Sequence, residues 1–164
     1  MVIKNAQELF MQLLSETYSA EKQMTRALPK MARAADDKKL VEGFEHHLEE
    51  TQGQLERLEQ AADSIADVRI KRIKSHAMES LIMEGEELVD ATEKGPVRDA
   101  GLIAAAQRVE HFEIAGYGTL CELADQLGYN EAKKQLAETL KEEKATDEKL
   151  SKMAHQNVNK EAAA

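Results

Sequence analysis

Apolar residues along this chain recur at alternating steps of three and four, the spacing of one face of an α-helix. In the clearest series, between positions 100 and 127, two members, Glu110 and Glu113, are carboxylates where a core helix carries Leu or Ala. A buried carboxylate costs several kcal/mol, so this pair requires a partner that neutralises it. The predicted seam is Ile103, Ala106, Glu110, Glu113, Tyr117, Leu120, Ala124 and Leu127.

The same spacing predicts four long helices, at about 5–35, 38–64, 96–127 and 131–157, and a short one at about 75–94. Asn5, either Asp36 or Asp37, and Ser75 have the character of helix N-caps. Residues 65–74 are predicted to be an extended connection, and the tail from position 157 is predicted to fray. Gly53 in mid-helix predicts a close approach by a neighbouring group.

Composition and charge narrow the class of protein. The 164 residues predict one domain, 1–164, and Ala, Leu, Glu, Lys and Gln in abundance favour an all-α fold. One cysteine excludes an internal disulfide, and the absence of a signal-like start or a long apolar run predicts a soluble cytoplasmic protein with no membrane partner. A net charge of −9 argues against nucleic acid as a partner. The basic cluster at 69–74 is predicted to be solvated or to pair with an acidic partner subunit.

Acidic residues also interrupt the apolar seams of the other long helices. Glu21 does so in the first helix, Glu50 stands beside His47 in the second, and Glu143 with Asp147 interrupts the last. All lie near the predicted midpoints of their helices, so an antiparallel bundle would bring them into one layer. Shared protons, a Lys or Arg from a flank, or metal ions could neutralise this layer. Two hard cations such as iron or manganese suit a set of acids with one imidazole, as in four-helix bundles with a dinuclear site.

Four segments, YSAEKQ (18–23), HLEETQGQ (47–54), AAQRVEHFEIAGYGTL (105–120) and EEKATDEKL (142–150), resemble the YciE/YciF family of bacterial stress-associated proteins. The resemblance covers nearly the whole chain. It implies a ferritin-like helical bundle, commonly assembled as a homodimer. Together with the pattern of the chain, this predicts a four-helix bundle with a long crossover that carries the short fifth helix. The metal-site positions it implies are Glu21, His47, Glu50, Glu110, Glu113, Glu143 and Asp147. Residues predicted to support these ligands are Tyr18, Thr51, Gln54 and Tyr117.

Two functions follow as hypotheses. The first is a stress-associated ferritin-like protein with a dinuclear iron or manganese centre that handles oxygen or peroxide, which would make it a metal-dependent oxidoreductase. The second is a non-enzymatic dimeric stress or interaction module with a vestigial acid layer. The wider ferritin-like pattern of Glu-x-x-His is altered here, since Gln52 follows Glu49 and Lys144 stands where a histidine is expected. That departure favours the second hypothesis.

Overall fold

The computed structural model describes residues 2–164, apart from the side chain of Asn157. Its long helices are α1 (Ala6–Ala34), α2 (Lys38–Asp63), α4 (Pro96–Gln126) and α5 (Asn130–Met153), and α3 (His76–Asp90) is the short one. A π-helical turn (Ala154–Val158) and α6 (Asn159–Ala162) follow α5. No strand occurs in this part of the chain, which confirms the all-α prediction.

Capping side chains fix where the first three helices begin. The side chains of Asn5, Asp37 and Ser75 accept hydrogen bonds from backbone N–H groups in the first turns of α1, α2 and α3. Each cap satisfies a donor that has no partner inside the helix. The helices therefore start where the polar residues of the sequence predict.

The helices form an antiparallel four-helix bundle in which α1 packs on α2 and α4, and α5 packs on the same two helices. The connection 64–75 and α3 make the crossover from α2 to α4, with α3 lying against α4 and α1. Buried Asp99 at the start of α4 accepts hydrogen bonds of 2.8 Å from the backbone N–H groups of Asp36 and Asp37. This carboxylate fastens the α1–α2 turn to α4.

The C-terminal segment differs from the prediction that it frays. After the π-helical turn the chain remains helical to Ala162, and it packs against α4. Val158 is 3% exposed and belongs to the apolar core, so its burial holds the tail in place. The prediction of a frayed tail is wrong.

The apolar core is divided into two clusters along the bundle. One contains Met24, Phe44, Ile103 and Leu150, and the other contains Phe10, Leu14, Leu58, Leu120 and Leu136. On α2, α4 and α5 the predicted acids lie between the members of the two clusters, and on α1 Glu21 lies between Ala20 and Met24, at the edge of the first cluster. The middle of the bundle is therefore a polar layer.

Candidate metal centre

Four buried side chains from three helices converge in this layer. His47 comes from α2, Glu110 and Glu113 from α4 and Glu143 from α5; each offers one ligand atom, and all four atoms lie within 4.8 Å of one another. None of the four residues is more than 4% exposed. We call this set the buried cluster. One imidazole and three carboxylates within that distance could hold a metal ion.

Most of the polar atoms of the buried cluster have no hydrogen-bond partner within the described structure. Both ring nitrogens of His47, both oxygens of Glu113 and one oxygen each of Glu110 and Glu143 are buried and unpaired. His47 Nε2 lies 3.2 Å from Glu110 Oε1, but the two atoms are not aligned for a hydrogen bond. Buried polar atoms are almost always paired in folded proteins. Unpaired lone pairs that converge on one point fit a bound cation.

Burial and crowding of like charges disfavour the ionised acids when no cation is present. Burial, followed by the charges of Glu21, Glu143 and Glu110, raises the pKa of Glu113 well above 4.5. Burial, followed by the charges of Glu110 and Glu21, likewise raises the pKa of Glu143. Burial acts to lower the pKa of His47, but the adjacent carboxylates, first among them Glu110, raise it well above 6.5. A cation would reverse these preferences, because ligands bind metal in their deprotonated forms.

Glu21 reaches the same layer from α1. It is 1% exposed, and Tyr117 Oη donates a hydrogen bond of 2.6 Å to its Oε1. Burial raises the pKa of Glu21 to about 7, although this hydrogen bond opposes the rise. Burial and the charge of Glu21 raise the pKa of Tyr117 well above 10, so its hydroxyl remains a donor.

Glu50 lies at the border between the buried cluster and the surface. Its Oε2 is 3.6 Å from His47 Nδ1 and accepts a hydrogen bond of 3.4 Å from Thr146 Oγ1. Its Oε1 is 3.2 Å from Nε2 of the exposed His46. Contact with His47 is the first of the effects that lower the pKa of Glu50, and a lowered pKa favours its ionised form.

Two α2 residues predicted to support the ligands do contact them. Gln54 Nε2 donates to Glu143 Oε1, and Thr51 Oγ1 donates at 2.8 Å to the backbone carbonyl of His47. Both side chains are fully buried. Gln54 thus orients the Glu143 carboxylate, and Thr51 holds the helix turn that carries His47. Hydrogen bonds from neighbouring residues orient metal ligands in this way in other proteins.

Two of the predicted residues lie apart from the buried cluster. Asp147 is partly exposed; its Oδ2 is 3.2 Å from His111 Nε2, and its Oδ1 accepts from Gln107. Tyr18 donates at 2.5 Å to Glu59 and does not contact the cluster. We therefore leave Asp147 and Tyr18 out of the set that surrounds the centre.

Thr146 was missed in the sequence, although it is buried and contacts Glu50. The buried face of α5 is Leu136, Thr139, Glu143, Thr146 and Leu150. The apolar spacing of the sequence instead predicts that Leu140 and Asp147 face inward, in the series Leu136, Leu140, Glu143, Asp147, Leu150 and Ala154. Both series alternate steps of three and four, so the spacing alone does not distinguish them. The observed series differs in burying Thr139 and Thr146.

An antiparallel four-helix bundle with one long crossover and a buried set of acids and histidine at its middle defines a ferritin-like protein. A family model described as "Domain of unknown function (DUF892)" matches residues 5–163, and the chain belongs to this family.

Protein YciF of Escherichia coli (strain K12) is 59% identical over 162 residues, which are 99% of this chain and 98% of that protein. The crystal structure of the E. coli stress protein YciF matches with a TM-score of 0.94, covering 96% of this chain and 99% of that one. YcfI of Rhodopseudomonas palustris is 40% identical, with a TM-score of 0.87 and coverage of 91% and 94% of the two chains. The chain is thus a homologue of a stress protein, which confirms the resemblance seen in its motifs.

Proposed function

We propose that this chain is a stress-associated ferritin-like protein whose buried cluster binds two iron or manganese ions. The observation that carries the proposal is the set of unpaired lone pairs on His47, Glu110, Glu113 and Glu143. In a metal-free core those atoms would lose their hydration without compensation. Imidazole and carboxylate groups together suit iron or manganese.

The second ion of the pair rests on Glu21 and Glu50, which extend the ligand set on two further sides. Glu21 accepts a hydrogen bond from Tyr117, and Glu50 Oε2 lies 3.6 Å from His47 Nδ1. Two dications need about four negative charges for neutrality, and the cluster with Glu21 and Glu50 supplies five carboxylates. A pair of such ions supplies redox chemistry toward oxygen or peroxide. The carboxylates and His47 would hold the ions, and the apolar clusters on either side would exclude water. Tyr117 would stay protonated and keep donating its hydrogen bond to Glu21.

Metal content of purified protein tests this proposal. Protein made without a tag and never exposed to chelator is expected to contain close to two iron or manganese ions per chain by elemental analysis. The double variant Glu110→Ala, Glu143→Ala is expected to contain almost none, because two of the four clustered ligands are lost. A double variant at exposed acids, Glu122→Ala with Glu131→Ala, is the matched control and should keep the full content. Equal metal content in all three proteins would refute the proposal.

An oxidoreductase role is tested with the same proteins. Wild-type protein loaded with metal is expected to consume hydrogen peroxide or oxygen. The Glu110→Ala, Glu143→Ala variant is expected to consume them no faster than the same concentration of metal in solution without protein. Metal that is bound at two ions per chain without any such turnover would support the centre and reject the enzymatic role.

The altered Glu-x-x-His pattern favours a second candidate, a non-enzymatic stress or interaction module. Gln52 and Lys144 are both exposed, so neither contributes to the polar layer. Gln54 donates a hydrogen bond to Glu143, and a polar layer without metal would be held together by bonds of this kind. This candidate predicts that a chelator changes neither the melting temperature nor the oligomeric state. The first candidate predicts a lower melting temperature after metal removal.

We further propose a homodimer, which is what the family resemblance implies, and a cytoplasmic location, which the single cysteine and the absence of a signal-like start favour. No helix in residues 2–164 combines the length and apolarity needed to cross a bilayer. Light scattering is expected to give a mass near twice the 18.3 kDa of the chain. A mass near 18.3 kDa at the concentrations used for metal analysis would reject the dimer.

A further inference from the structure

A second polar site lies away from the buried cluster, in a groove between α1 and the crossover. The groove has a volume of about 1080 Å³. It is lined by one side of α1, by residues 68–74 of the crossover, and by residues of α2 and α3. Ligand sites commonly have volumes of about 300–1,000 Å³. The groove is therefore large enough for a nucleotide-sized molecule.

Positive charge is concentrated in this groove, although the chain as a whole carries −9. Three of its basic residues already have partners: Lys30 pairs with Glu86 at 2.8 Å, Lys74 pairs with Glu79, and Lys22 lies 5.0 Å from the centre of the Tyr18 ring. The other basic residues of the lining have no ion-pair partner among residues 2–164. They are Arg26, Arg69, Lys71 and Arg72.

Lys71 is the most informative of these four. Its Nζ is buried and has no hydrogen-bond partner in the described structure. Its backbone N–H donates at 2.9 Å to Ser15 Oγ on α1, so the origin of the side chain is fixed against the bundle. A buried ammonium group without a partner is costly. An anion beside it would remove that cost.

We propose that the groove binds a small phosphorylated molecule with three or more negative charges, such as an oligophosphate or a nucleotide. Four unpaired cations match that charge. Three of them are arginines, whose planar forks bind phosphate oxygens in pairs. The ligand phosphates lie against the exposed arginines, and the Lys71 side chain turns toward them when the ligand binds.

Acidic residues in the lining of the groove argue for a small ligand over a nucleic acid. Glu59, Asp63, Glu79 and Glu86 line the same groove as the unpaired cations. A long polyanion crossing the groove would have to pass these carboxylates, and an acidic protein with a net charge of −9 repels it further. A compact ligand contacts only the centre.

Titration calorimetry with inorganic triphosphate tests the proposal. Wild-type protein is expected to bind one triphosphate per chain at about 50 mM salt and to bind more weakly as salt is raised. Lys71→Met should weaken binding about tenfold, because it removes a charged hydrogen-bond donor and keeps the length of the side chain. Lys141→Met, at an exposed lysine on α5 outside the groove, is the matched control and should change the affinity less than about twofold.

A second variant and a second probe keep the test decisive. Arg69→Gln with Arg72→Gln changes only exposed residues and should also weaken binding about tenfold or more, even if Lys71→Met fails to fold. The proposal is overturned by no binding at about 1 mM triphosphate, or by equal affinities in wild type and both groove variants. It is also overturned if single-stranded oligonucleotides bind more tightly as their length increases, because the basic groove would then be a binding site for nucleic acid.

Discussion

Replacing Glu113 by methionine is expected to stabilise the metal-free protein and to destabilise the metal-loaded one. Glu113 is 2% exposed, and neither of its carboxyl oxygens has a hydrogen-bond partner among the described residues. Methionine has similar length and no polar atom to desolvate. The substitution thus separates the energetic cost of the carboxyl group from its use as a ligand.

The magnitude follows from the two unpaired oxygens. An unsatisfied buried polar group costs about 1–3 kcal/mol, and apolar replacement of buried charged groups has stabilised other proteins by about 1–4 kcal/mol. We expect the unfolding free energy of the metal-free protein to rise by about 1–3 kcal/mol, which corresponds to about 2–12 °C in melting temperature for a chain of this size. With metal at about 1,000 times its dissociation constant, each bound ion adds about 4 kcal/mol to the wild type. The variant loses much of that gain, so the order of stability reverses.

The assay is urea unfolding followed by circular dichroism at about pH 7, once with chelator and once with added manganese. Glu122→Met, at an exposed acid on the same helix, is the control and should change stability by less than about 0.5 kcal/mol. A metal-free Glu113→Met protein that is less stable than wild type by more than 1 kcal/mol or so would refute the reasoning. The carboxyl group would then be part of a favourable network that needs no metal.

Three further predictions concern the polar layer and the turn. The metal-free protein should lose stability as the pH rises from about 4.5 through about 7. Burial raises the pKa of Glu21 to about 7, so over this range the folded state keeps a proton that the unfolded chain has released. A free energy of unfolding in urea that stays constant over this range would contradict the prediction. Tyr117→Phe should cost about 1–2 kcal/mol in the metal-free protein, since it removes the 2.6 Å hydrogen bond to Glu21, and a thermal melt with no shift would reject that role. Asp99→Ala should cost about 2–4 kcal/mol, because two backbone N–H groups of the α1–α2 turn lose their acceptor, and a loss below about 0.5 kcal/mol in urea would show that the turn does not depend on it.

The sequence pattern predicted the helices and the polar layer because both depend on local periodicity. The observed ends of α1, α2 and α4 lie within about two residues of the predicted ones, which is the usual uncertainty of helix termini. Glu21, Glu110, Glu113 and Glu143 are predicted to face the core because each takes the place of an apolar residue at a core spacing, whereas Glu50 lies beside the apolar stripe of α2. Glu21, Glu110, Glu113 and Glu143 are all buried for that reason.

Helix α2 shows where this logic fails. The apolar spacing of the sequence predicts an inward face that includes Leu48 and Leu55. The structure instead buries His47 and Gln54 and leaves both leucines partly buried. Polar residues that face a polar layer give no hydrophobic signal, so the phase of such a helix is set by tertiary contacts. Gly53 is a related case: a Cβ there would meet nothing within 4 Å, and the predicted close approach is wrong.

The most direct test of the proposed centre is to locate the metal in the molecule. Crystals grown without chelator, measured at the absorption edges of iron and manganese, should give two anomalous peaks per chain in the polar layer, bounded by His47, Glu110, Glu113 and Glu143. The account predicts both peaks within bonding distance of these side chains or of Glu21 and Glu50, which extend the ligand set. No peak in that layer, after reconstitution with either metal, would contradict the account and leave the buried acids as a protein-only network.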